Sequence, residues 1–327
     1  MMSQVRDAAY QAIRHDVAWR IVARDGIIVS GPGALDWLQG QLSQDVAGLR
    51  EGATGVGLET LVLSPQGKID SFCRICRLGT DRYLLDLRAG FGEALLERLR
   101  RFKLRVKADL ELLEDLHSVE LRGPGAEVAS RSVAEAVSAL ATLGVDWPGW
   151  SGRDHLLDGA QIPSDLRSLG IGPTADDAEG FDAARIEAGV PQLGSELTER
   201  TIPQEAGELV ARAVSFTKGC YTGQELVARI DARGSNTPRR LRGVVMDAPA
   251  TNGMAVGTAP AAGDELRVGG EKVGELTSVA WSPDFSNHVA LAYVKRGIEV
   301  PVQVAVVHAE GAERGGGSVC LLPLFGG

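Results

Sequence analysis

Two spacings of apolar residues divide the chain. In VAWRIVARDGIIVSG (17–31) β-branched residues flank an Asp-Gly pair, which predicts a hairpin. GPGALDWLQGQLSQDV (31–46) instead sets Leu35, Leu38 and Leu42 three and four apart, the spacing of one apolar helix face. Strand-like runs follow at Leu58 to Leu63, Ile69 to Leu78 and Tyr83 to Leu87, the second entered through a Ser-Pro-Gln-Gly turn. FGEALLERLRRFKLRV (91–106) predicts a helix running into a strand near Val106 to Leu113. Helices alternating with largely antiparallel strands imply an α+β layer.

The succession of strand, Gly-Pro-Gly-Ala and helix occurs twice, in IIVSGPGALDWL (27–38) and VELRGPGAEVAS (119–130). Neither copy carries a P-loop lysine or the GxGxxG spacing, so both read as tight turns rather than phosphate sites. Their recurrence 92 residues apart marks two related halves. WPGWSGRD (147–154) and SLGIGPTADDAEG (168–180) read as loops, and FDAARIEAGVPQLGSEL (181–197) opens with a short helix ending at Gly189. From about residue 240 the texture changes to short β runs separated by Gly and Pro, which predicts a small closed or sandwiched β domain. The boundary is expected near Asn236 to Arg239.

Composition adds bounds. The 327 residues exceed the roughly 250–300 at which one core stops growing, so two or three domains are expected. Thirty-four basic and 43 acidic residues leave a net charge of −9, which opposes general affinity for nucleic acid or an anionic membrane. The basic run PRRLRG (238–243) reads either as a local anion site or as a solvated strand entrance. No apolar run is long enough to span a membrane, and MMSQVRDAAYQAIRHDVAWR has no apolar core of a secretory signal, so a cytoplasmic protein is expected. Four cysteines are too few for a disulfide framework.

Cys220 carries the strongest chemical signal. It lies between Gly219 and Tyr221-Thr222-Gly223, two residues after Lys218 and just before a helical pattern, TGQELVARI. A nearby cation or helix N-terminus lowers a thiol pKa, so the setting suits a reactive or ligand-contacting thiol; a small apolar plug in a glycine turn is the alternative. None of the five histidines stands in a recognisable nucleophile context, which disfavours a cysteine hydrolase. Cys73 and Cys76 in FCRIC face opposite sides of a strand, poor geometry for a metal. Glu187, among small and apolar residues in ARIEAGVP, is either an ordinary helical carboxylate or one that faces a pocket and pairs with a flat amidine-like edge such as that of a pterin.

KGCYTGQE (218–225) resembles the signature of the YgfZ-type folate-binding proteins, relatives of the glycine-cleavage T-protein (aminomethyltransferase). FDAARIEAGVPQLGSELTERTIPQEAG, LDWLQGQLSQDV, LSPQGKIDSFCRI, RRLRGV and GELTSVAWSP…ALAYV extend the resemblance over about residues 17 to 308. It implies a T-protein-like ring of two αβ lobes (ferredoxin-like layers) and a C-terminal β-barrel around a folate channel, with lobes at 1–115 and 116–237 and the barrel at 238–327. It implies tetrahydrofolate or a related reduced folate as cofactor. Glu187, Asp70, Arg185, Tyr221, Gln224, Glu225 and Arg229 become its candidate contacts, and Cys220 with Lys218 the candidate chemical pair. Ser71 replaces the second carboxylate of the T-protein Asp-Asp pair. The resemblance therefore implies an accessory role in iron–sulfur cluster assembly or repair, with indirect effects on tRNA modification, over an active tetrahydrofolate-dependent aminomethyltransferase. Its expected partners are radical-SAM iron–sulfur enzymes or assembly factors, with no direct nucleic acid and no membrane. A channel within one chain makes a monomer the expectation.

Overall fold

The computed structural model describes residues 2–51, 54–55, 57–161, 179–247 and 259–325. Most of the predicted loop 168–180 lies outside them. The first half of the αβ region contains α1 (Met2–His15), β1 (Ala18–Ser30), α2 (Ala34–Gln41), β2 (Thr54–Gly55), β3 (Leu58–Leu63), β4 (Ile69–Gly79), β5 (Arg82–Arg88) and α3 (Gly92–Phe102). The second half contains β6 (Asp109–Arg122), α4 (Ala126–Ala136), β7 (Ala141–Trp147), β8 (Trp150–Asp158), α5 (Glu179–Glu187), α6 (Leu209–Ala213) and α7 (Gln224–Asp231). The remaining strands are β9 (Arg239–Met246), β10 (Glu265–Val268), β11 (Glu271–Ser282), β12 (Asn287–Lys295), β13 (Val302–Val307) and β14 (Glu313–Cys320).

The expected hairpin at 17–31 is one strand. β1 pairs with both β5 and β6 and is only bulged between Arg24 and Gly26. Asp25-Gly26 does not turn, because a side chain on Gly26 would meet Leu116, Leu113 and Leu84 at 2.8–3.2 Å. The glycine serves close packing in the middle of a sheet. The expected loop WPGWSGRD is likewise mostly strand, its Trp147-to-Trp150 stretch being the tip of a β7–β8 hairpin.

β6 pairs with β1 from Arg122↔Ala18 to Asp109↔Ser30, which joins everything into one sheet of order β2-β7-β8-β6-β1-β5-β4-β3. The expected lobe boundary at 115/116 falls inside β6, so backbone hydrogen bonds continue across it. The two halves are nonetheless related. Gly31 (φ +119°) and Gly123 (φ +124°) end β1 and β6 in the same left-handed turn. The Gly33 N–H donates to the Lys107 carbonyl at 3.0 Å and the Gly125 N–H to that of Asp16 at 2.8 Å. Lys107 and Asp16 each lie two residues before the start of the other strand. Two copies of one unit thus pack about a pseudo-dyad between β1 and β6.

The two faces of the sheet differ in chemistry. Ile27, Val29, Cys73, Ile75, Leu85 and Leu87 meet α2 and α3, while Trp19, Val119 and Leu121 meet α4. The alternate positions point the other way and carry Arg20, Arg24, Phe72, Arg74, Asp86, Glu120 and Arg122. β9 to β14 close into a six-stranded barrel, β10-β11-β12-β9-β14-β13, filled by residues such as Val244, Leu266, Leu276 and Val306. α5 bridges the two bodies. Its Phe181 and Ile186 pack with Leu241, Val289 and Leu291 of the barrel and with Tyr10 and Ile13 of α1.

Candidate functional site

The charged face of the sheet, the end of α5 and the 190–193 segment enclose a cavity of about 270 Å³. Seven arginines line it: Arg20, Arg24, Arg74, Arg88, Arg122, Arg185 and Arg212. Against them stand five carboxylates, Glu59, Asp86, Glu120, Asp146 and Asp154, so the lining is +2 (7 − 5) in a chain of net −9. Phe72, Leu193, Val190, Pro191 and Trp147 supply apolar wall.

Most of these charges form one alternating chain. Arg24 grips Asp86 with two bonds of 2.8 and 2.9 Å, and Arg74 Nε donates to the same carboxylate at 2.7 Å. The other end of the Arg74 guanidinium reaches Asp154 at 2.5 Å, which also takes Arg122 at 2.6 Å. Arg20 holds Glu120 at 2.8 Å, 3.7 Å from Arg122. Burial opposes ionisation of Asp154, but Arg122 and Arg74 hold its carboxyl well below the usual range. Such a chain orders five strands around a common floor, since leaving any member unpaired in this buried place is costly. Three donors make no hydrogen bond: the Nε groups of Arg122, Arg185 and Arg212 are buried without a hydrogen-bond partner, Arg212 Nε being ion-paired with Glu59 at 3.0 Å. For Arg185 Nε the Asp182 carboxylate is 3.6 Å away, beyond hydrogen-bond reach.

Of the expected site residues, Arg185 alone lines this cavity. Glu187, two positions on, projects from another side of α5. It is fully buried, and its carboxylate accepts the Tyr10 hydroxyl at 2.7 and 2.9 Å and the Ser282 hydroxyl at 2.5 Å. Burial raises its pKa against the pull of those bonds. Here Glu187 fastens α1 and the barrel to α5. Asp70 is paired with Arg98 at 2.9 Å, and neither it nor Ser71 lines the cavity.

The KGCYTGQE segment is a bracket on the end of α2. Helix ends leave carbonyls without partners, and this loop supplies the donors. Lys218 Nζ donates to the carbonyls of Gln39, Leu42 and Gln44 at 2.7–2.8 Å. The Thr222 N–H donates to Gly40 and the Ser215 N–H to Ser43. The three ammonium hydrogens of Lys218 are thus directed at backbone carbonyls. Burial draws its pKa down to about 8. Between these feet Gly219 and Cys220 are exposed. Gly223 (φ +82°) supplies the left-handed turn into α7, and its carbonyl lies against Gly67 of the β3–β4 turn. Tyr221 is buried beside Leu63 and Ile69 with its hydroxyl unpartnered, and burial pushes its pKa up to about 12. Gln224 opens α7 half-buried, whereas Glu225 and Arg229 are exposed. Cys73 and Cys76 are buried in different clusters, and burial pushes both thiols up to about 12.

Residues 239–325 match the family model of the glycine cleavage T-protein C-terminal barrel domain. An aminomethyltransferase of Symbiobacterium thermophilum is 30% identical over 299 residues, covering 81% of this chain and 75% of that one. The tRNA-modifying protein YgfZ of Edwardsiella ictaluri is 34% identical over 231 residues, 64% of this chain and 65% of that one. The chain belongs to the YgfZ-type family related to glycine-cleavage T-protein. A mitochondrial iron–sulfur cluster assembly factor IBA57 homolog of Pyricularia oryzae is 30% identical over 233 residues, 68% of this chain and 55% of the relative. The crystal structure of aminomethyltransferase T from Bartonella henselae shares the fold: TM-score 0.74 at 20% identity, covering 98% of this chain and 89% of that one.

The YgfZ-type signature in this chain is therefore a structural bracket around an exposed thiol, and the cavity lies elsewhere on the sheet. The cavity arginines other than Arg185 escaped the sequence reading. Arg20, Arg24, Arg74 and Arg122 alternate with apolar residues in their strands, a pattern that reads as a solvated face when only one sequence is in view.

Proposed function

We propose that the protein binds a reduced folate in the arginine-lined cavity and, through the exposed Cys220 thiol, serves as an accessory factor for iron–sulfur proteins. The observation that carries the first half is the cavity itself. A folate joins a flat ring to an anionic tail, and this lining joins Phe72 and Trp147 to a surplus of guanidinium groups, three of them with a buried Nε that makes no hydrogen bond. About 270 Å³ is near the lower end of ordinary ligand pockets, enough for part of such a molecule. Arg122 and Arg185 are the groups that would hold it. When bound, a reduced folate would supply one-carbon chemistry; the residues of this chain bind, orient and exclude water.

The second half is supported by kinship. One relative is named a tRNA-modifying protein and another an iron–sulfur cluster assembly factor. Ser71 and the Asp70–Arg98 pair leave no pair of free carboxylates of the kind expected for aminomethyl transfer. Isothermal titration of the purified protein with tetrahydrofolate, beside an aminomethyl-transfer assay with glycine-cleavage components, tests both parts. Saturable binding with negligible methylenetetrahydrofolate formation is expected. Absence of binding, or transfer at the rate of a true aminomethyltransferase, overturns the reading.

A further inference from the structure

The basic run PRRLRG, where β9 begins, divides by face. Arg239 and Leu241 point out of the barrel. Arg239 pairs with Glu205 at 3.2 Å and lies over the Tyr293 ring at 4.1 Å, while Leu241 packs in the cluster around α5. Arg240 and Arg242 share the opposite face with Val244 and Met246, which belong to the barrel core. Their strand partners Val294 and Ala292 belong to it too. The two arginines continue this inward column to the end of the barrel, where both are half-buried.

Neither has an ion pair among the described residues. Arg240 donates to the Ser235 carbonyl at 3.4 Å and Arg242 to that of Leu241 at 3.0 Å, which leaves most N–H donors of each guanidinium free. Burial and the neighbouring Arg240 charge lower the Arg242 pKa, so the two cations oppose each other in place. Lys295 and Arg296 are exposed at the same end, where the Arg296 N–H donates to the Pro238 carbonyl at 3.0 Å. Glu299, in the turn that follows, bridges none of the four among the described residues. In a chain of net −9 this is a concentration of unpaired positive charge, and none of it lines the cavity on the sheet.

We infer that Arg240 and Arg242 form a second, separate binding site, for a phosphoryl dianion free in solution or carried by a small molecule. Two residues apart on one strand face, their stems start roughly 7 Å from each other, close enough for both guanidinium forks to converge on one tetrahedral group. A phosphoryl group brings about two negative charges and three acceptor oxygens to that point, enough for both forks. A single carboxylate brings one charge and one edge, which one arginine satisfies. A polynucleotide is disfavoured by the net charge of −9.

The intact protein is titrated calorimetrically in chloride buffer of constant ionic strength with inorganic phosphate, AMP, adenosine and malonate. Saturable binding of phosphate and AMP is expected, with adenosine silent and malonate at least about tenfold weaker. Equal affinities for the two phosphates assign free phosphate, and tighter AMP assigns a phosphomonoester. Arg240→Gln and Arg242→Gln are each expected to weaken phosphate by about tenfold or more. In chloride alone Arg242→Gln should resist urea as well as the wild type or better, because it removes one of two opposed, half-buried charges. A merely structural arginine would lose stability there. That loss, phosphate binding that survives both arginine variants, an equal effect from Lys295→Gln, or malonate as tight as phosphate overturns the assignment. So does tighter binding of an oligoribonucleotide without terminal phosphates than of AMP, or no binding of either phosphate. Each of these outcomes leaves the folate reading where it stands.

Discussion

Lys218 and Leu42 are 176 residues apart, yet the ammonium of one donates to the carbonyl of the other at 2.7 Å. Two further carbonyls, of Gln39 and Gln44, complete the shell. Lys218→Met keeps much of the stem and removes all three donors. A lost hydrogen bond with a buried partner costs about 1–3 kcal/mol, so a loss of that order in urea unfolding is expected. The exposed Gly219–Cys220 stretch should also exchange its amide hydrogens faster. Unchanged stability and exchange would mean that Lys218 is not what anchors the loop.

The four cysteines separate by exposure. Cys220 is exposed, Cys320 is half-buried, and Cys73 and Cys76 are buried with pKa values pushed up to about 12. Iodoacetamide is expected to label Cys220 first, with the strand cysteines slower by on the order of 100-fold or more in the native protein. Mass spectrometry of timed digests reads the order. Cys220→Ser should leave stability within about 0.5 kcal/mol, as for other exposed positions. If that variant fully restores iron–sulfur enzyme activity in cells lacking the protein, the thiol has no role in it.

Glu187 is predicted to matter for assembly of the fold rather than for ligand. Glu187→Gln leaves Tyr10 and Ser282 sharing one acceptor where they had two, with a loss of about 1–3 kcal/mol expected. Tyr10→Phe should give a smaller loss and a non-additive double variant, since both changes act on one bond. Tetrahydrofolate affinity is expected to stay within about twofold, well under 1.4 kcal/mol. A tenfold drop in affinity in folded Glu187→Gln would return this carboxylate to the ligand site.

His155 supplies a pH dependence. Burial lowers its pKa from 6.5 to about 4, with Ser130 and Thr142 on its two ring nitrogens. The unfolded chain therefore binds the extra proton between pH 6.5 and 4, and stability falls as pH falls through that window. The size is on the order of 2–3 kcal/mol. Asp154, with its depressed pKa, loses stabilisation only at still lower pH. Urea unfolding at several pH values in this range should show the slope, and His155→Asn should flatten it. A wild-type profile without slope there contradicts the burial of a neutral ring.

Much of the fold was legible locally. The spacing of Leu35, Leu38 and Leu42 gave α2, the Gly-Pro-Gly-Ala repeat gave the related halves, and the short β runs after residue 240 gave the barrel. Asp25-Gly26 misled because turn chemistry and a tight mid-sheet crossing both call for glycine, and only the partner strands decide between them. The tip at Trp147 to Trp150 was seen, but not the strands it joins, because Gly149 and Gly152 in WPGWSGRD obscured the alternation. At the site, the thiol loop was readable from its own residues. The role of Lys218 was not, because its acceptors are backbone carbonyls and a sequence does not distinguish one carbonyl from another. Glu187 looked like a pocket residue because small neighbours allow close approach; what approaches is Tyr10.

The pairing of β1 with β6 along their full length has a mechanical corollary. Rigid halves open about a hinge only where few bonds cross, and here the seam is the most continuous ladder in the sheet. Ligand entry and exit cannot come from the halves swinging apart. They fall to the parts that close the cavity from outside the sheet, the 190–193 segment after α5 and the β7–β8 tip. Exchange rates at those two places, rather than at the seam, should set how fast this protein loads and empties.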